Sequence, residues 1–244
     1  MNAPFFQTTP QDIDVIFDKA ASAYDHMNNW MSLGLHHTWK DLFIQHVPFK
    51  SFQKKSSLSF LDMASGSGDV AQKLWQRSQL LGLSPTLHLA DKNKHMLHLA
   101  KEKYAHHSWH FHEEDATNLR FKTHTFDLYT LVFGLRNMPA MNLVFKEALR
   151  VLKPGGTLLV MEFSQPLSPL LWGLYHAYLK TVIPTLGRLF SKAPESYDYL
   201  AQSVIHFPKA SIIQEIMDYS GFKDTGYQLI HKGVVAIFWG KKPS

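Results

Sequence analysis

The sequence contains no cysteine, which excludes disulfides, thiolate nucleophiles and cysteine-ligated zinc or iron–sulfur centres. It also has no apolar run approaching the roughly 18 residues of a membrane-spanning helix. The first residues lack a basic stretch followed by an apolar core and a small-residue cleavage site, so no signal peptide is expected. Charge is sparse: 18% of the 244 residues are charged against 45% hydrophobic. Such a chain buries a sizeable core rather than staying disordered. Neither internal repeats nor low-complexity segments interrupt it. The formal charge of +5 favours an anionic neighbour, membrane or nucleic acid, without deciding between them. These features lead to the expectation of a cytoplasmic protein.

What is present is a regular alternation. Strand-like runs fall at 58–63, 86–90, 109–113, 126–132 and 157–163, and helix-like runs at 69–82, 93–104 and 140–151 separate most of them. That order predicts a parallel sheet with helices on both faces. Ahead of it, residues 12–46 carry apolar positions at helical spacing. "KPGG", ending at Gly156, stops the helix before the fifth strand. Between 167 and 220 no strand is evident. Two last strands, 226–231 and 234–239, meet at Lys232–Gly233, a joint tight enough to require an antiparallel pair.

The first strand runs into "SFLDMASGSGDVAQKL", where Gly66, Gly68 and Ala71 form a nucleotide-binding turn and Asp91 ends the next strand. Charge separates the candidate ligands. Asp62 and Asp69 flank the loop and no lysine or arginine lies between Phe60 and Gln72. Two carboxylates repel the pyrophosphate of a dinucleotide. They attract a ligand bearing an ammonium and a sulfonium, which points to S-adenosylmethionine, with Asp62 serving its ammonium.

"LDMASGSGD", "ADKN", "FGLRN" and "VLKPGGTLLVMEFSQP" together resemble the class I methyltransferases, and in particular the ubiquinone/menaquinone biosynthesis C-methyltransferases. "FDKAASAYDHMNNWMSLGLHHTWK", "ESYDYLAQSVIHFP" and "GVVAIFWG" extend the likeness over about residues 15–240. The resemblance implies an α/β, Rossmann-like fold: a mostly parallel seven-stranded sheet, a C-terminal antiparallel hairpin and helices on both faces. It implies one methyltransferase domain over 1–244, with a helical lid at 1–50 and a helical substrate- and membrane-facing insertion at 167–208. The implied activity is carbon methylation of a prenylated quinol, 2-polyprenyl-6-methoxy-1,4-benzoquinol or demethylmenaquinol or both, with S-adenosyl-L-methionine as methyl donor.

Residue by residue, the likeness places the cofactor on Asp62, Gly66, Ser67 and Gly68, on Asp91 and Lys92 at the ribose, and on Asp115 and Ala116 beside the adenine. A ring carbon becomes nucleophilic when an adjacent hydroxyl loses its proton, and a phenol near pKa ~10 needs a base or a cationic neighbour for that. Arg136 and Asn137 follow the fourth strand, where ligands of such sheets sit. Arg136 is too basic to take the proton but stabilises a phenolate, unless it serves only a surface ion pair. Asn137 orients a ring hydroxyl. In the lid, Tyr24, Asp25 and Asn28 face the cleft, with Asp25 as candidate base and Tyr24 as ring or cofactor contact; helix packing and capping explain them equally well.

A prenyl tail requires an apolar groove, for which Leu170, Leu171, Leu174, Tyr178 and Ile183 are candidates. Lys180, Arg188 and Lys192 are placed to meet anionic lipid heads. The expected location is therefore the inner face of the membrane, held peripherally, with a homodimer or a quinone-biosynthesis complex as candidate assemblies. Fifteen histidines, several in "HHSWHFH", lack the companions of a catalytic metal centre, so no metal is expected and that run reads as a polar edge strand. Against the family pattern, Ser65 replaces a glycine, Val132 a serine, and Phe238–Trp239 a His–Arg-like pair. The rivals are a cofactor-binding scaffold without turnover and a methyltransferase of another small lipophilic molecule. Nucleic acid is not an expected partner, because the lysines and arginines are scattered and no D/N-P-P-Y motif occurs.

Overall fold

A computed structural model describes residues 32, 34–190 and 194–244. Tyr24, Asp25, Asn28 and Lys192 lie outside the described residues. Helices α1 (His36–Gln45) and α2 (Phe49–Phe52) lead into β1 (Ser59–Met63), α3 (Asp69–Leu80), β2 (Thr86–Asp91), α4 (Lys94–Lys103), β3 (His110–Glu113) and β4 (Phe126–Val132). Then come α5 (Met141–Val151), β5 (Leu152–Phe163), α6 (Pro169–Ala177), α7 (Ile183–Phe190), α8 (Pro194–Ile205), α9 (Ala210–Tyr219), β6 (Lys223–Ile230) and β7 (Val235–Lys241).

The seven strands form one sheet in the order β3-β2-β1-β4-β5-β7-β6. β1 to β5 pair in parallel, and β7 enters antiparallel between β5 and β6. Alternation along each strand sends its side chains to two separate cores. Phe60, Leu128 and Leu159 meet Trp39 and Phe43 of α1, Leu74 of α3 and Leu200 of α8 on one face. Leu61, Tyr129 and Leu158 meet Phe145 of α5 and Ile213 and Met217 of α9 on the other. Local signals fix the helix starts: Asn93 accepts from Met96 N at 2.9 Å at the head of α4, and Ser168 with Pro169 opens α6.

β5 begins five residues before the expected 157, so "KPGG" lies inside it rather than in a turn. The reason is tertiary: Gly155 N donates to Lys242 O, and Lys242 N to Gly156 O, drawing the segment against the chain end. Ile183, a groove candidate, is instead fully buried in the core. At the outer edge, His88, His110 and His112 stack on one face, with His88 Nδ1 3.0 Å from His112 Nε2. Among the described residues no group of three metal-ligating side chains forms a metal site.

Candidate active site

Strand order reverses between β2 and β4 on either side of β1, and a crevice opens there at the strands' C-terminal ends. It holds a cavity of about 390 Å³. Asp62, Gly66, Ser67, Asp91, Lys92, Asp115, Ala116 and Asn137 all line it, so eight of the expected site residues are brought together. Gly68 does not line it but turns the loop. At φ 84° it caps α3, and a Cβ there would lie 2.8 Å from the Tyr104 ring. The left-handed positions fall on Ala64, Gly66 and Gly68 and spare Ser65, which is how the loop accepts a serine there. Where β4 ends, Gly134 lets the chain pass β1; a Cβ on it would meet that of Ala64 at 2.7 Å.

The four acids of the cavity are in different states. Asp91 accepts from Gly66 N and Asn93 N, each at 2.9 Å, one on each oxygen. A carboxylate presents two oxygens, the number of acceptors a ribose diol requires. Asp115 accepts from Thr117 N and Oγ1, and although burial would raise its pKa, these bonds hold it below the usual range. Asp62 is 3% exposed. Thr130 Oγ1 donates to its Oδ1 at 2.8 Å, while Oδ2 has no hydrogen-bond partner. Burial drives its pKa up to about 7, with the Thr130 bond opposing.

Asp69 corrects the charge argument made from the sequence. Burial would raise its pKa, but Lys40 Nζ at 3.1 Å and Lys103 Nζ at 2.8 Å outweigh that and hold it at about 2. Both lysines come from outside the loop, one from α1 and one from α4. Asp69 is thus a neutralised anchor, and of the two acids flanking the loop Asp62 is the one left to receive a cation.

After β4 the turn Leu135–Asn137 brings Asn137 to the cavity wall. Asn137 Oδ1 accepts from Tyr199 Oη of α8 at 3.1 Å. Burial pushes Tyr199 up to about 12, so the hydroxyl stays protonated as a donor. Arg136 lies behind this wall and not at the surface. Its side chain and that of Glu162 are both 0% exposed, and its Nη1 donates to Glu162 Oε1 at 2.8 Å and to Phe133 O at 2.5 Å. Glu162 also accepts from Arg136 N and from Phe163 N. Sequence reasoning missed Glu162, Lys40, Thr130 and Tyr199. The available signal for Glu162 was a lone acid inside the apolar run "LLVMEF", which requires a buried cation.

An ammonium would satisfy the partnerless oxygen of Asp62, and the cavity-lining carboxylate of Asp91 is an acceptor suited to a ribose diol. The donor set therefore fits S-adenosylmethionine. Residues 6–242 match the ubiE/COQ5 methyltransferase family. The chain belongs to that family. It is 37% identical over 229 residues to the ubiquinone/menaquinone biosynthesis C-methyltransferase UbiE of Rickettsia typhi, covering 92% of this chain and 90% of that one. In fold it is similar to the methyltransferase domain of the citrinin polyketide synthase, with a TM-score of 0.68, 12% identity and coverage of 95% and 59%. It is also similar to a phosphoethanolamine N-methyltransferase of Haemonchus contortus solved with S-adenosylhomocysteine, with a TM-score of 0.59, 16% identity and coverage of 96% and 58%. As a member of the ubiE/COQ5 methyltransferases the chain is an S-adenosylmethionine-dependent enzyme. Its sheet carries the class I methyltransferase order, with the antiparallel β7 that a plain dinucleotide fold lacks.

Proposed function

We propose that this enzyme methylates a ring carbon of a prenylated quinol, 2-polyprenyl-6-methoxy-1,4-benzoquinol, demethylmenaquinol or both, in ubiquinone/menaquinone biosynthesis. The observation that carries the reading is the junction at the end of β4. There the cavity with its receptive Asp62 and Asp91 adjoins Asn137, whose amide is oriented by a buried tyrosine. When bound, S-adenosylmethionine supplies an electrophilic methyl group. Asp62 would hold its ammonium and Asp91 its ribose, and Asp115 with Ala116 would flank its base.

On the substrate side, Tyr199 fixes Asn137 Oδ1, which leaves the amide N–H groups to donate to a ring oxygen. Arg136 favours the phenolate through its field, from a guanidinium whose own bonds go to Glu162 and Phe133. That pair also holds the 133–137 turn, so Asn137 is positioned by the same contact. The proton acceptor proposed is Asp25, with Tyr24 beside it in the N-terminal segment.

The tail and the membrane meet at α6 and α7 in this reading. Leu167, Leu170, Leu174 and Leu189 are 80%, 74%, 63% and 68% exposed, next to the exposed Lys180 and Arg188. Apolar side chains rimmed by cations suit the surface of an anionic bilayer. Among the described residues no helix is long and apolar enough to cross one. The test is calorimetric titration with S-adenosylhomocysteine followed by methylation assays on both quinols. Saturable binding with turnover of at least one ring is expected; binding without turnover of either ring would favour a cofactor-holding scaffold.

A further inference from the structure

Helix α1 sends a lysine into the cofactor cavity, and no step above uses it. The Lys40 side chain is 11% exposed and lines the cavity. Its Nζ lies 3.1 Å from Asp69 Oδ2, and its charge acts on Asp62 and on His36 as well. Lysines are almost never buried this far without a charged group to meet. Asp69 by itself is a weak reason, because Lys103 already reaches its other oxygen at 2.8 Å. An ammonium has three donors, and the Asp69 bond uses one.

The cavity's other lining cation among the described residues is Lys92. It is exposed and acts on Asp115, beyond the ends of β2 and β3. The amino-acid end of an S-adenosyl group carries an ammonium and a carboxylate on one carbon, so the groups receiving them must be neighbours. Asp62, with its partnerless oxygen, is the receptor for the first. We propose that Lys40 is the receptor for the second and so selects ligands that carry a carboxylate. Lys40 is then shared between Asp69 and the ligand, while Lys103 keeps Asp69 neutralised. The groups facing it are His36 on its own helix, Asp62 from β1 and Asp69 from α3.

This assignment rests on the cofactor reading, and one calorimetric comparison separates the two. The ligands are S-adenosylhomocysteine and S-adenosyl-3-thiopropylamine, which is the same molecule without its carboxylate. The unaltered protein is expected to prefer the carboxylate form. Lys40→Met is expected to weaken S-adenosylhomocysteine about 10–100-fold, as loss of one partner of a part-buried charge pair does. The amine is expected to bind as before. Equal losses for both ligands would show that Lys40 serves only Asp69 and overturn the proposal, as would an unchanged affinity for S-adenosylhomocysteine. Lys40→Gln, which retains a hydrogen-bond donor for Asp69, is the second variant if methionine disturbs folding, and the same outcomes decide it. An unaltered protein that bound neither ligand would overturn the cofactor reading and this proposal with it.

Discussion

Asp127 near the start of β4 and Asp62 near the end of β1 are buried alike, at 1% and 3% exposure, yet they are treated in opposite ways. Asp127 accepts from Lys55 Nζ at 2.6 Å, Lys153 Nζ at 2.7 Å and Ser59 N at 3.0 Å. Burial alone would raise its pKa, and these bonds reverse that and hold it below the usual carboxylate range. Asp62 has Thr130 on one oxygen; the Ala71 amide acts on it without closing a hydrogen bond, and burial prevails. A carboxylate completed by its own chain rivets the sheet. One left incomplete and easily protonated is poised for an external cation. Exposure does not distinguish the two roles, but the inventory of partners does.

The largest expected effect comes from a third buried carboxylate, Glu162, which extends the riveted class. Arg136→Met leaves that carboxylate uncompensated and is expected to destabilise the fold by about 3–5 kcal/mol, read as a lowered midpoint in urea. Adding Glu162→Gln should recover part of that loss; a double variant as unstable as the single one would remove Arg136–Glu162 from the riveted class. Next, Asp127→Asn is expected to lose about 1–3 kcal/mol, reduced because its lysines are 31% and 36% exposed. Its affinity for S-adenosylhomocysteine should stay as it was. Asp62→Asn should do the reverse, folding normally while binding falls roughly 30–100-fold. Similar behaviour of the two variants would break the comparison.

A pH series sharpens it further. Folded, ligand-free protein keeps a proton on Asp62 up to about 7, whereas the ordinary value is 3.8. The stability from this group is therefore present below 3.8 and lost as pH rises through about 7. His36 and His88 are lowered by burial to about 4, so theirs is present above 6.5 and lost as pH falls toward 4. Asp62→Asn against the unaltered protein isolates the first contribution. Binding an ammonium requires the ionised carboxylate, so S-adenosylhomocysteine should expel close to one proton at pH 6, and its affinity should drop up to about tenfold per unit below pH 7. Calorimetry in two buffers of different ionisation enthalpy measures that proton. The smallest effect is expected at the apolar face: Leu170→Ser with Leu174→Ser should weaken sedimentation with anionic vesicles by about tenfold, with cofactor affinity intact.

Much of this was legible in the sequence. The alternation of strands and helices, the glycine turn, Asp91 at the end of β2 and the closing hairpin are local patterns, and local patterns survive folding. The start of β5 was not legible, because "KPGG" reads as a stop until Lys242 pairs with it. Nor was the true state of Asp69, whose lysines lie 29 residues before it and 34 after. Arg136 was placed correctly at the end of β4, but its direction depended on Glu162, 26 residues downstream. What a single stretch hides is the partner of a charge.

α1 is fastened to the other end of the chain. Trp39 Nε1 donates to His231 Nδ1 at 2.6 Å in the turn before β7, and His46 Nε2 lies 2.8 Å from Gln228 Oε1 on β6. Ribosomal synthesis delivers those partners 192 and 182 residues after the side chains they hold. A nascent chain stalled before residue 228 therefore has α1 held by its packing on the first strands and α3 and by the Lys40–Asp69 and Asp41–Lys73 pairs. A chain cut before residue 228 should therefore hold S-adenosylhomocysteine less tightly, although neither Gln228 nor His231 lines the cavity.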